Sequence, residues 1–168
     1  MKIQGQKVTF PQWLWMKKNH NLLTPNQGLC TSILNSTVGF GQASSGSATI
    51  SSSTNNLLSG QRKSLGVICT TGVDREGIIT TPTTVVNGLN HTAIANVVAP
   101  VGATLQIWWY TDGIVSTANF TGTGTQQIIK CSGVATSTNG VIYVMLHNAN
   151  TPGTTFNIRN LILRKGSS

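Results

Sequence analysis

Three acidic side chains stand in the whole 168-residue chain, Asp74, Glu76 and Asp112. Two of them flank Arg75 in the stretch GVDREG. Hydrolysis of a glycosidic bond usually needs two carboxyl groups roughly 5–9 Å apart. Alternate positions of an extended segment share a face, so Asp74 and Glu76 are the pair that spacing offers. Gly72 and Gly77 bracket them, however, and adjacent charges between glycines read as a solvated turn. His20, His91 and His147 stand beside no nucleophile motif, so neither a Ser-His-Asp nor a Cys-His set is indicated. GFGQASSG begins as G-x-G but lacks the third glycine and a following helix that a phosphate loop requires. Cys30, Cys69 and Cys131 are far apart and fit no zinc spacing, and Cys69, in the apolar run LGVIC, reads as a buried free thiol. The expectation is a non-enzymatic chain with no catalytic residue, no metal and no cofactor.

A different chemistry is offered by ATLQIWWYT, residues 103–111. On a strand, Leu105, Ile107 and Trp109 share one face and Gln106, Trp108 and Tyr110 the other. A sugar ring presents C–H bonds that stack on flat aromatic rings and hydroxyls that want paired polar partners. Gln106, Trp108 and Tyr110 supply both. Tyr143 alternates with Met145 and His147 in VIYVMLH and adds another ring. Gln106, Trp108, Tyr110 and Tyr143 are therefore the candidate carbohydrate-binding residues. The competing reading is that these rings pack beneath a loop or beneath the N-terminal segment.

That segment is MKIQGQKVTFPQWLWMKKNH, residues 1–20. It holds four of the eleven cations, no acid and two of the four tryptophans. Cations with aromatics suit single-stranded nucleic acid, but no nucleic-acid-binding fold signature accompanies them. A docking arm fits better. Its extended part would add as a strand to a partner's sheet edge, with apolar side chains in pockets and lysines on an acidic rim. The candidate docking residues are Ile3, Lys7, Val8, Phe10, Trp13, Trp15, Lys17 and Lys18. The alternative is that this stretch is the first strand of the domain itself.

The elements that must position these residues are short β-type runs. Only 8% of the chain is charged, against a typical value of about 25%. The body is a tract of Ser, Thr, Gly, Asn and Val with its cations spread along it. No convincing helical periodicity follows Pro25 and Gly28. Runs at 47–53, 63–71, 77–86, 91–100, 103–111, 125–131, 140–147 and 154–164 recur between turn residues, and residues 29–39 supply either another strand or a lead-in loop. In TTFNIRNLILR the alternation slips after Ile158, which predicts a bulge. The fold class expected is all-β: an antiparallel β-sandwich or jelly roll (residues 21–168) with an N-terminal arm (residues 1–20). No signal peptide is visible and no run approaches a membrane span.

From Asn21 onward the order of features resembles the jelly-roll carbohydrate-binding modules of the family 4 and 9 type. The opening NLL (residues 21–23), GQRKSLGV (60–67), GLNHTAIANVVAP (88–100, with His91 where an aromatic is usual) and the closing FNIRNLIL (156–163) carry the resemblance. Asn157 and Asn160 stand where an acid is frequent, and three acids are too few for the calcium site such modules often hold. Stand-alone modules of this composition with a leading arm also look like virion proteins of tailed bacteriophages. The resemblance thus implies a virion structural protein, foremost a capsid decoration or cement protein anchored by its arm, forming a homo-oligomer in the particle. Its partners would be the major capsid protein or other virion proteins, with synthesis in the host cytoplasm and no membrane or nucleic acid involved. The alternative is a carbohydrate-binding adhesin contacting host glycans, or a tail, collar or baseplate component.

Overall fold

A computed structural model of the chain describes residues 2–3, 6–7, 21–30, 37–43, 47–55 and 63–166. Near the N-terminus, β1 (Lys2–Ile3) pairs antiparallel with β2 (Gln6–Lys7). One short helical turn, α1 (Pro25–Gly28), precedes the body. The body consists of β3 (Phe40–Gln42), β4 (Ala48–Ser53), β5 (Ser64–Cys69), β6 (Gly77–Thr80), β7 (Thr83–Thr84), β8 (Asn90–Val98) and β9 (Thr104–Tyr110). It continues through β10 (Ile114–Thr121), β11 (Gln126–Val134), β12 (Asn139–Leu146) and β13 (Thr154–Lys165).

These strands form two antiparallel sheets. The first runs β10-β9-β12-β6-β3, with β7 beside β12; the second runs β11-β8-β13-β5-β4. Sequence neighbours β8 and β9 lie in opposite sheets, so the chain crosses the sandwich at the turn between them. The expected jelly-roll β-sandwich is the architecture observed. Asn21 of the NLL opening bridges β13: its Nδ2 donates to the Leu161 carbonyl at 2.8 Å and its Oδ1 accepts from the Leu163 amide at 2.9 Å.

The core lies between the sheets, where alternation places every second side chain. Leu105, Ile107 and Trp109 of β9 and Ile142, Val144 and Leu146 of β12 face Ala93, Ala95 and Val97 of β8 and Leu161 and Leu163 of β13. Each large side chain taken from water contributes roughly 1.5–3 kcal/mol. Gly140 is required here, because a Cβ at that position would overlap the Trp109 ring.

The predicted bulge is present: the register of β13 against β8 shifts between Ile158 and Asn160. The extra residue restores parity, so that Phe156 and Ile158 before it and Leu161 and Leu163 after it all point inward. Two elements depart from the sequence reading. The run at 77–86 breaks at Pro82 into β6 and β7, because proline cannot donate to a ladder. The run IVSTANFT, absent from the strands expected from sequence, forms β10 by pairing with β9 along its length.

Candidate functional site

The outward half of β9 consists of Gln106, Trp108 and Tyr110, as its alternation requires. Register then decides what stands beside them. On β12, Tyr143 lies opposite Trp108 and Met145 opposite Gln106. On the other side, Thr117 of β10 lies opposite Trp108 and Asn119 opposite Gln106. On β6, Ile79 lies opposite Tyr143, and Gly41 of β3 lies opposite Ile79. One row therefore crosses the sheet as Thr117, Trp108, Tyr143, Ile79 and Gly41. Trp108 and Tyr143 have ring centroids 5.8 Å apart, and Tyr110 and Tyr143 likewise stand 5.8 Å apart, edge to face. All three rings are half-buried.

Gln106 and Met145 form the floor of this face, at 5% and 1% exposure. The Gln106 amide is used internally: Nε2 donates to the Leu146 carbonyl at 3.1 Å, and Oε1 accepts from Trp108 Nε1 at 2.7 Å. The sequence reading offered Gln106 as a direct polar partner for a ligand; its geometry makes it the residue that holds the indole in place. Burial, then the neighbouring Tyr110, pushes the Tyr143 phenol above its ordinary pKa, so it stays a neutral hydroxyl.

A loop closes one end of the face. The Arg75 guanidinium carbon stands 5.1 Å from the centroid of the Trp108 ring, a cation–π placement. Arg75 Nε lies 3.4 Å from Asp74 Oδ2. Arg75 adopts φ 65°, a left-handed conformation uncommon for a residue with a side chain. What holds it there is Glu76, whose side chain is fully buried. Its carboxylate accepts from the Thr71 hydroxyl at 2.9 Å and from the amides of Thr71 at 3.2 Å and Gly72 at 2.7 Å. Burial opposes the charged form, but the hydrogen bonds from Thr71, Gly72 and Thr70 outweigh it and hold this carboxyl below its ordinary pKa. Asp74 Oδ1 accepts from the Asn148 amide at 2.8 Å, and the Arg75 amide donates to Leu146 at 3.0 Å. Residues 70–76 are thus clamped to the end of β12.

The reading of GVDREG as a solvated turn holds for Val73, Asp74 and Arg75, which are exposed, and fails at Glu76. Asp74 is half-exposed, but Glu76 is a buried anchor with its oxygens already bonded, so the two do not form a carboxyl pair open to substrate. The reading that Trp108 packs beneath a loop holds in part, since Arg75 lies over it while the ring stays accessible. His91 packs in the core, 5.7 Å from the Trp109 ring, and His147 meets Asn119 at 3.2 Å at the edge of the aromatic face. Cys30, Cys69 and Cys131 are free and buried. Burial pushes the Cys131 thiol to about 11, and burial with Glu76 pushes Cys69 to about 12, so neither is a thiolate nucleophile at neutral pH.

A groove of about 700 Å³ opens elsewhere, lined by Pro100, Val101, Thr104, Asn150 and Pro152 among others. Its Asn150 amide is spent on the Thr104 backbone, donating to the carbonyl at 3.2 Å and accepting from the amide at 3.0 Å. It has no ring to stack on. Among the proposed docking residues, Val8, Phe10, Trp13, Trp15, Lys17 and Lys18 lie outside the described residues. Ile3 pairs with Gln6 and Lys7 with Lys2, so this backbone bonds to itself over part of the stretch read as free for a partner's edge.

No protein-family model matches the chain, and no curated protein resembles it significantly. Solved structures do match, and carbohydrate-binding modules of families 4, 6, 22 and 61 are among them. A family 61 module, TmCBM61, solved with β-1,4-galactotriose, superposes with a TM-score of 0.59 at 10% identity, over 87% of this chain and 99% of that one. The tandem family 22 modules of Paenibacillus barcinonensis Xyn10C give 0.64 at 12% identity, over 88% of this chain and 45% of theirs. The enzymatically active domain of tailspike protein 4 from bacteriophage CBA120 gives 0.60 at 12% identity, over 87% of this chain and 21% of that one. The chain spans only 26% of the Clostridium thermocellum xylanase chain and 27% of the arabinofuranosidase chain it matches. At these identities the matches establish the jelly-roll fold that carbohydrate-binding modules share.

Proposed function

We propose that the chain is a non-catalytic carbohydrate-binding module that takes a saccharide across the outer face of the first sheet. The observation that carries this is the accessible cluster of Trp108, Tyr143 and Tyr110, with its indole fixed from below by Gln106. A sugar ring stacks its C–H face on Trp108 or Tyr143 as Arg75 slides aside. Arg75 then donates to ring hydroxyls and Asp74 accepts from them, a pairing suited to a neutral diol. Modules of the same fold in the comparisons include one solved with β-1,4-galactotriose and one with cellotriose, which supports the reading. The test is titration of the full chain against a panel of neutral β-linked oligosaccharides and a glycan array. Trp108→Ala and Tyr143→Ala should each weaken binding roughly tenfold or more, as removal of a central aromatic anchor does. A native chain that binds no glycan, or a Trp108→Ala chain that binds as well, ends the proposal.

The match to a phage tailspike chain favours a setting for this module. In that second reading it is a virion component, a capsid decoration protein or a tail part, with residues 1–20 as the docking arm of a domain spanning 21–168. Binding of the chain to particles lacking it should then fail in a Trp13→Ala/Trp15→Ala variant whose glycan binding is intact.

A further inference from the structure

The outer face of the second sheet is as distinctive as that of the first. With Ala93, Ala95 and Val97 in the core, β8 turns Thr92, Ile94, Asn96 and Val98 outward. By register, Lys130 of β11 lies opposite Ile94, which lies opposite Ile162 of β13; Ser132, Thr92 and Arg164 form the next row. The Thr92 hydroxyl meets that of Ser132 at 2.8 Å, confirming the shared face. Arg159, the bulge residue, donates from Nη1 to Gln126 Oε1 and so reaches across β8 from β13 to β11. Lys130, Arg159 and Arg164 therefore stand on one face, with Lys63 and Lys165 at its borders. No acid accompanies them. Asp74 and Glu76 lie in the loop that crosses from β5 to β6 and Asp112 lies between β9 and β10, so no strand of the second sheet carries an acid.

The strands of this sheet turn no aromatic ring outward, so neither a nucleic-acid base nor a neutral sugar finds a stacking surface. What is present is cations, amides and hydroxyls over an aliphatic floor. Asn96, only 5% exposed, carries an Oδ1 with no hydrogen-bond partner. A buried acceptor left unpaired favours a ligand that brings a donor hydroxyl.

We propose that this face binds an acidic polysaccharide, with its carboxylates on Lys130, Arg159 and Arg164 and a hydroxyl donated to Asn96 Oδ1. It is a separate site from the aromatic face and does not depend on the reading given for that face. The probe is polygalacturonate, tested with the full chain by affinity electrophoresis and calorimetry at low salt, beside neutral β-1,4-galactan and duplex and single-stranded DNA. Polygalacturonate should bind, more weakly as salt rises, since exposed charges are screened beyond the Debye length of about 10 Å at 0.1 M. Lys130→Gln/Arg164→Gln should weaken it roughly tenfold and Lys130→Glu/Arg164→Glu further, in line with exposed ion pairs. Trp108→Ala should leave it unchanged. Thermal unfolding checks that each variant is folded; should the glutamate pair unfold, the glutamine pair decides. Absence of polygalacturonate binding at low salt overturns the proposal. So does unchanged affinity in the glutamine pair, which places the interaction on the lysines of residues 1–20. Tighter binding of DNA than of polygalacturonate overturns it in favour of a nucleic-acid surface.

Discussion

On the first sheet the outward row reads Thr117, Trp108, Tyr143, Ile79; on the second, the rows read Ile128, Asn96, Asn160 and Lys130, Ile94, Ile162. Both faces are the outward half of a strand alternation whose inward half is aliphatic core. They differ in what completes them. The aromatic face is finished by a loop that crosses its end, carrying Arg75 on a left-handed residue held by a buried carboxylate. The cationic face is finished by long side chains of the strands themselves, one of them placed by a bulge. A face built by a loop should fail when the loop's anchor fails. One built by strands should answer only to changes in its own residues.

The largest effect that would test this contrast is at the anchor. Glu76→Gln weakens a carboxylate that accepts from a hydroxyl and at least two amides in a dry site, and should cost roughly 2–4 kcal/mol in chemical denaturation. Glycan binding should fall with it, while polygalacturonate binding by the folded fraction stays. A loss under about 1 kcal/mol would mean that the loop is held by something else. The pH dependence has a definite sign. A carboxyl whose folded pKa is lowered stabilises the fold fully above its unfolded pKa and loses that contribution as pH falls through the folded value. The stability gap between the native chain and Glu76→Gln should therefore be constant near neutrality and close in acid.

Next in size is Gln106→Leu. It leaves Trp108 Nε1 without its acceptor and removes one of two donors to the Leu146 carbonyl, and should cost about 1–2 kcal/mol. It should weaken glycan binding several-fold by freeing the indole. If binding is unaffected, Gln106 is merely buried. Smaller still is Ser132→Asp, which sets a carboxylate in the row of Arg164 and two residues along β11 from Lys130. Stability should stay within about 0.5 kcal/mol, as for most surface changes. Polygalacturonate affinity should drop, and binding of a neutral glycan should not move. A drop in both would show that the two faces are not independent.

How legible this molecule is depends on the part considered. The inward-facing trio of β9, its outward trio and the bulge after Ile158 follow from a period of two, which a sequence displays directly. β10 escapes because Thr117 and Asn119 on its outward side are polar and its inward positions include Ser116 and Ala118, so its strand character comes from the partner β9. Glu76 escapes for a sharper reason. Its residue type and its charged neighbours signal solvent, and only the fold brings the Thr71 and Gly72 amides around it.

Composition and alternation by themselves determined that this chain makes a charge-poor β-sandwich, that Trp109 belongs to the core, and that Trp108 and Tyr110 share the opposite side. Those properties are local, set by side-chain parity along a strand. Tertiary structure alone decided that Tyr143 stands beside Trp108, that Arg75 lies over it, and that cations spread over more than a hundred residues of sequence gather on one acid-free sheet. Register between strands distant in the chain is a property of pairing, and the pattern within any one strand does not contain it.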